Sequence, residues 1–478
     1  MTFFSAIPVP ETEVGIALET VRGTPVAPEY WIPIMGPKYK PDVKLLPDEG
    51  MRGSMVKIYD EIPSLRVDTH AWDQYPYLDS FPVLVRALVG SKDTRTAIVV
   101  ATKLIAEAKV TDKKILSTID VPIGTVFVLD EGIPATEESV VSLKSTKLKA
   151  LEWEIECAAL KFTHVISSNV SIRGTELQKA ALVGDTTIKV VADTVVAGGY
   201  VVIDTGVGVQ ETALVTKVVE VGPGEWTLTL GYPLAFGHKI KAVVNTLTSH
   251  AFSLLNNSPI EGNQPPSYTI TDFAGETIAG PTAVWRQLAA AQLDTLTITG
   301  AADALPKVAT NWFANSSITP SPPTPSYSIV QAPPGWAVQA AVGGVQVGYL
   351  VNWEFALKRG VKNVPAITGT MNYYQHFAYA LEATAKFTFL EDPKATWLTA
   401  YQNGEQLALD LTLSDVQSGF AVNLHSTKSK FLTGDLDRSK EWVEVHVESQ
   451  LIPSSTDATA GGVSPLKITV ANATPNEY

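Results

Sequence analysis

Gly124-Thr125-Val126-Phe127-Val128-Leu129-Asp130-Glu131-Gly132 and Gly198-Gly199-Tyr200-Val201-Val202-Ile203-Asp204-Thr205-Gly206 follow one pattern. In each, a β-branched and aromatic run long enough for a short strand is turned by Asp and then Gly. The correspondence continues outward: Glu137, Val140 and Val141 answer to Glu211, Leu214 and Val215, and Glu152-Trp153 to Glu225-Trp226. Leu160, Phe162 and His164 answer to Leu234, Phe236 and His238, and the offset stays at 73 or 74 positions throughout. Chance does not hold such an offset across separated segments, so the chain carries a tandem duplication. Each copy reads as a β-unit of about seventy residues, marginal alone and steadied by its twin, with Trp153 or Trp226 filling a small core. The recurring Glu-Trp and Phe-x-His admit a carbohydrate site against an aromatic face. The favoured reading is structural, with His164 and His238 satisfying local hydrogen bonds, because pairs kept in a duplication most often keep the fold.

Composition limits the classes available. The 478 residues suffice for two to four domains, and 45% hydrophobic content supports sizeable cores. The single cysteine, Cys157, forbids an intrachain disulfide, and the seven histidines lack the H-x-x-x-H or C-x-x-C spacing of a zinc site. Stability must therefore come from packing or assembly, and no metal or cofactor is expected. Met1 to Glu11 has no basic start followed by an apolar run, and no long apolar span follows, so the expectation is a protein made in the cytoplasm that crosses no membrane.

Charge is shared unevenly. Residues 95–245 hold 15 Lys+Arg against 17 Asp+Glu, while the rest of the chain holds 21 against 32. The acidic outer segments argue against ordinary nucleic-acid binding, which needs cations to displace phosphate counterions. They are compatible with a surface past which nucleic acid slides.

Period-two alternation marks antiparallel strands at Trp353–Leu357, Ala383–Phe389, Leu407–Leu413, Tyr268–Thr271, Leu293–Ile298 and Trp442–Val447. One helix is expected from an N-cap at Asp79 or Ser80, with Pro82 in its first turn, through Leu84, Val85 and Leu88 to a stop at Gly90. A second is expected from Lys394 to Tyr401. The prolines between Pro320 and Pro334 read as an extended connector across a surface.

The outer segments carry a resemblance. Gly15-Ile16-Ala17-Leu18-Glu19-Thr20-Val21-Arg22-Gly23-Thr24-Pro25, followed by Asp48-Glu49-Gly50-Met51-Arg52-Gly53-Ser54, resembles the opening of the tail tube (major tail) proteins of long-tailed bacteriophages. Pro265 to Asp272, the strand ending Phe355-Ala356-Leu357-Lys358-Arg359, and the close from Asp457-Ala458-Thr459-Ala460-Gly461-Gly462 through Asn472-Ala473 to Tyr478 are similar to that family as well. The resemblance covers roughly 1–94 and 246–478. The simpler pattern would pass from Leu88-Val89-Gly90 soon to a strand like Ser249–Leu255, and here the duplication intervenes.

The resemblance implies a mainly β protein, an antiparallel β-sandwich or barrel with a short flanking helix, interrupted by the two duplicated units. The tube domain is expected in two segments, 1–94 and 246–452, separated by repeats at 95–170 and 171–245 and followed by a C-terminal extension at 453–478. The resemblance further implies a virion protein whose six copies form a ring, with rings stacking into a tube that conducts DNA to the host without binding it specifically. The implied partners are the chain itself and the tape measure and tail terminator proteins. The repeats would project outward, and the lumen would be acidic. Pro41 to Ile62, with Gly50 and Gly53, reads as an arm ordered against the next ring or as a plain surface loop.

Catalytic patterns are absent: no G-x-S-x-G, no G-x-x-x-x-G-K-[ST] and no H-E-x-x-H. Cys157, within the run Trp153 to Leu160, reads as a buried small apolar residue. The pairs Glu137-Glu138 and Glu391-Asp392 sit beside turn signals and read as solvated. An enzyme is not expected. The alternatives to a tube protein are another phage structural component, of capsid or baseplate, and a surface adhesin whose repeats bind a host glycan.

Overall fold

The computed structural model describes residues 12–472 and 478, apart from 51, 54, 97–99, 119–120, 122–125, 131–135, 137, 150–151, 173, 192–194, 196, 198, 205–208, 210, 223–224, 257–261, 275–283, 317, 319–326, 328–329, 348, 391–396, 416–419, 440 and 460. The protein is mainly β, with antiparallel sheets and two α-helices. The chain divides into two compact units. The first gathers Met1–Lys92, Phe252–Leu411 and Leu424–Ile468, and the second gathers Asp93–Ala251, Thr412–Asn423 and Thr469–Tyr478.

The first unit is organised around one strand, Val284–Ala301. Its first half pairs with Tyr268–Ala274, which in turn pairs with Thr12–Leu18. Its second half pairs with Lys307–Ala314 on one edge and Leu350–Lys358 on the other. The change of partner coincides with a register shift between Leu293 and Thr295, and Ala290 nearby has φ +52°. Glu19, only 7% exposed, secures this bend. Its carboxylate accepts the Ala290 N–H at 2.8 Å, the Gly23 N–H at 2.7 Å, and the hydroxyls of Ser267 and Thr269 at 2.7 and 2.9 Å. A buried carboxylate is tolerated when its lone pairs are met in this way.

From Leu350–Lys358 the ladder runs on through Glu382–Leu390 to Glu444–Leu451 and the strand Ala421–Asp437. Strict alternation, as in Glu382–Leu390, sends Ala383, Ala385, Phe387 and Phe389 into the core and leaves the intervening side chains on a polar face. In the core Trp72 stacks on Trp312 at 5.6 Å, and Tyr268 meets Trp312 edge-on at 6.1 Å. The helix Phe81–Val89 packs on Val284–Ala301, and apart from Arg86 its residues are buried. It starts after Ser80 with Pro82 in the first turn and ends at Gly90, whose φ of +84° is the left-handed cap that glycine supplies.

Every alternating run read from the sequence lies in a strand, although the strand expected from Trp442 begins at Glu444. The second helix spans Trp397–Asn403; residues 394–396 lie outside the described residues. Of the proline-rich connector, 320–326, 328 and 329 likewise lie outside them, and Tyr327 contacts Trp31 edge-on at 6.3 Å. One expectation is overturned. Pro41 to Ile62 is not a loop: Ile34–Asp48 and Asp60–Gln74 form a long antiparallel hairpin, with residues 49–59 between its arms. Pro41 and Pro47 hid the first arm and Pro63 the second, because proline is depleted from central strands. Register shifts between Met35 and Lys38 and between Val43 and Leu45 absorb irregularity in this ladder. Of the two glycines singled out there, only Gly53 has a positive φ, 70°.

A small hairpin, Lys362–Val364 with Gln375–Phe377, is tied down by His376. Its ring Nδ1 lies 2.8 Å from Asn363 Oδ1 and its Nε2 3.2 Å from Asn315 Oδ1. Burial, with the Arg22 charge adding to it, pushes His376 down to about 4. A neutral imidazole has one N–H, so one of the two amides turns its NH2 toward the ring. The unfolded chain takes up this proton near pH 6.5 and the folded one only near 4, so the stability held here is complete above 6.5 and is lost as pH falls toward 4. The expected loss is about 3 kcal/mol. Urea midpoints of wild type and His376→Gln at pH 7 and 4.5 check it: the variant should show the smaller drop.

The second unit holds the duplication. The first copy contributes Val100–Lys103, Lys114–Ser117, Val126–Leu129, Glu138–Lys149, Glu152–Cys157 and Asn169–Ile172, and the second Gly174–Glu176, Thr187–Val190, Tyr200–Ile203, Glu211–Gly222, Glu225–Leu230 and Val243–Thr246. Each set forms a six-stranded sheet with the same strand order. Bridges Leu104↔Ser117 and Leu177↔Val190 join the outermost strands of each, closing the circuit of pairings and leaving no long free edge. Each has its own core, around Phe127, Ile155 and Val170 in the first copy and Val201, Leu228 and Val244 in the second. Trp153 and Trp226 pack against these cores from partly exposed positions rather than filling them.

Candidate functional site

The residues that recur in the duplication converge within each copy. His164 Nδ1 lies 2.8 Å from Asp130 Oδ2 and its Nε2 2.7 Å from Glu138 Oε1; His238 Nδ1 lies 2.7 Å from Asp204 Oδ2 and its Nε2 2.6 Å from Glu211 Oε1. Both imidazoles are fully buried. Asp130 and Asp204 end their strands with φ of +52° and +57°, a conformation that Asp tolerates better than most residues, and this turns each carboxylate under the ring. The glutamates also receive backbone donors, Lys161 and Phe162 N–H on Glu138 and Ala235 and Phe236 N–H on Glu211. The repeated Phe-x-His is thus one arm of a clasp: its first backbone N–H and its imidazole bind the same carboxylate.

Two sequence expectations need correction here. Glu138, not Glu137, is the counterpart of Glu211, because the offset has already changed to 73 at the start of that strand. Glu138 is also buried, at 9% exposure, rather than solvated, since it serves the histidine and the loop before it. Glu137, Glu391 and Asp392 lie outside the described residues. Both ring nitrogens of each histidine face carboxylate oxygens. For Asp130, burial pushes the carboxyl up, but hydrogen bonds from Ser168, His164 and Thr136 outweigh it and hold it below its ordinary value. The cluster can hold loops together around its buried imidazole.

Cys157 is 2% exposed, and burial, helped by the charges of Glu138 and Asp112, pushes its thiol up to about 11, far from a reactive thiolate.

An apolar surface also lies on the far half of the long hairpin. Leu45, Leu46, Met55, Val56, Ile58 and Ile62 are all exposed, Met55 fully so. Nearer its base, Arg66 binds the buried Asp68 at 2.7 Å and Tyr39 donates to Asp68 at 2.5 Å within the hairpin, while the Arg286 guanidinium from Val284–Ala301 lies 4.5 Å over the Tyr39 ring and the Arg66 N–H donates to Met371 O at 2.8 Å. An anchored base and an apolar far half are the anatomy of a contact arm. The sequence offers an arm at Pro41 to Ile62 as one of two readings, but not its strands, since the apolar residues straddle prolines.

Among the described residues, no helix is long and apolar enough to cross a membrane. The family model of phage tail tube proteins matches residues 161–469, about two thirds of the chain, and the chain belongs to that family. It is therefore a structural component of the virion tail. No curated protein matches the sequence. The matched span begins inside the first repeat and runs through the second, whereas the resemblance read from the sequence lay on either side of both.

Proposed function

We propose that the protein builds the tail tube itself: six copies close into a ring, and rings stack into a conduit through which DNA leaves the capsid. Family membership over 161–469 carries this reading. Two further observations support it. The first unit is a long antiparallel ladder of the kind whose edges can pair between subunits, and the far half of the long hairpin exposes apolar side chains. The role is scaffolding rather than catalysis; assembly would take place in the host cytoplasm, with tape measure and tail terminator proteins as further partners. The lumen is acidic in this reading, because Lys and Arg lining it would add phosphate affinity at every ring. Electron cryomicroscopy of the purified protein tests both points. Stacked six-fold rings with an acidic inner wall are expected; a persistent monomer sinks the ring, and a basic wall sinks the sliding surface.

The repeats serve as an exterior addition that does not hold rings together. The chain enters and leaves them side by side, since Thr94–Thr96 pairs with Thr248–Ser253 and Thr96 lies opposite Ser249. An insertion with adjacent ends can be removed with a short connector. Replacing 95–245 by a Gly/Ser linker should leave ring formation intact. Tyr200 and Leu214 of the second repeat cover Ala421 and Ala471, so that variant bares a small apolar spot, and excising 100–172 alone keeps the cover as a control. Folded but assembly-incompetent variants of both kinds would place the repeats in the ring contacts.

A further inference from the structure

At the turn joining Ala421–Asp437 to Glu444–Leu451, three side chains from the two strands face one point. Asp437 and Glu444 are directly opposite across the hairpin, and His446 follows two residues later on the same face. Their facing atoms, one from each residue, all lie within 4.8 Å of one another. His446 Nε2 is 3.7 Å from Asp437 Oδ2 and 3.9 Å from Glu444 Oε2. Those separations are too long for hydrogen bonds.

The outward atoms of the same three groups are each engaged. The Ser439 N–H binds Asp437 Oδ1 at 2.8 Å, Trp442 Nε1–H binds Glu444 Oε1 at 2.9 Å, and His446 Nδ1 lies 3.1 Å from Thr388 Oγ1. An Nδ1–H donated to Thr388 leaves the Nε2 lone pair directed at the two carboxylates, the tautomer a metal-ligating histidine requires. A four-coordinate ion with bonds of about 2.1 Å sets its donors about 3.4 Å apart. The two gaps to His446 need close by only a few tenths of an ångström, the two carboxylates already lie within 4.8 Å of each other, and the partly exposed Asp437 and His446 can supply the movement. Asp435, opposite His446 in register and exposed, is within the same face.

We propose that Asp437, Glu444 and His446 bind a divalent first-row transition cation such as Zn2+, with three protein ligands and a remaining position for water. One imidazole with two carboxylates suits zinc or its neighbours better than calcium or magnesium, which take oxygen-only shells. The ion clamps the end of the hairpin by joining Asp437, the almost fully buried Glu444 and His446 in shared ligation.

The test uses the full chain, stripped with chelator and titrated with Zn2+ alone by calorimetry, with Co2+ absorption reporting coordination. One equivalent bound at micromolar or tighter affinity is expected. Asp437→Asn and His446→Asn should each weaken it at least about 100-fold, and Thr388→Val, which touches no ion, about 10- to 100-fold. Because the two ligand positions are partly exposed, the variants should melt like the metal-free wild type, and that measurement excludes misfolding as the cause. Absence of stoichiometric Zn2+ binding, or binding that both ligand variants leave unchanged, overturns the site.

Discussion

Replacing Leu45–Pro63 with a two-residue turn is expected to abolish assembly while leaving the subunit folded. The excised stretch contains Leu45, Leu46, Met55, Val56, Ile58 and Ile62, all exposed, so its loss uncovers no core. What fixes the hairpin to the rest of its unit lies nearer the base, where Lys307–Ala314 pairs with the second arm from Asp68 to Gln74, the Arg66 N–H donates to Met371 O and the Arg286 guanidinium lies over the Tyr39 ring. The thermal midpoint should therefore hardly move. Assembly should fail by more than a hundredfold in critical concentration, since burying several large aliphatic side chains contributes about 1.5–3 kcal/mol each and every ring would lose that contact around its circumference. Sedimentation across a concentration series gives the answer. Tubes of normal length from the shortened chain would remove the hairpin from the contacts between subunits.

His238→Ala is expected to cost the second repeat about 3–5 kcal/mol, the usual consequence of removing one member of a buried charge cluster. Asp204 and Glu211 would face each other without the imidazole that now lies between them at 2.7 and 2.6 Å. The triple change His238→Ala, Asp204→Asn, Glu211→Gln should be milder than the single one, because the amides leave less uncompensated charge behind. Hydrogen exchange across 174–246 in the intact chain resolves the difference. If the single variant exchanges like wild type, the cluster contributes nothing to stability. The equivalent cluster in the first repeat adds an acid limit. Asp130 is held below the ordinary 3.8, so its contribution is complete above that pH and is lost as pH falls through its lower folded value.

Alternation made the ladder strands legible, because one face of each is core and the other solvent: the pattern of Glu382–Leu390 in the sequence is its burial pattern in the fold. The first helix was legible from its ends, Pro82 and Gly90. The duplication was legible from spacing alone, and so were His164 and His238. Their partners were not, because Asp130 and Glu138 meet the histidine only through strand pairing, and a one-residue change of offset put Glu137 in Glu138's place. The long hairpin was hidden by its prolines, which the edge of a two-stranded ribbon tolerates and a central strand does not. The constellation of Asp437, Glu444 and His446 escaped for a related reason. Spacing rules for metal ligands follow helices and tight loops, whereas strand neighbours on one face recur at every second residue and across the turn.

Asp93 and His250 bind each other at 2.6 Å although 157 residues separate them along the chain. A contact so distant would normally form late, since the ends of a long flexible loop must find one another before anything is gained. Two self-contained barrels change that search. Once each repeat has closed around its own core, the intervening chain behaves as a compact body, and the effective loop shrinks to the few residues flanking it. The expected order is that the repeats condense first, the strands at 94–96 and 248–253 zip next, and the first unit, assembled from segments on either side, completes last. A ribosome delivering the chain from its N-terminus would hold Thr12–Leu18 and Asp68–Gln74 waiting for Tyr268–Ala274 and Lys307–Ala314, which emerge only after both repeats.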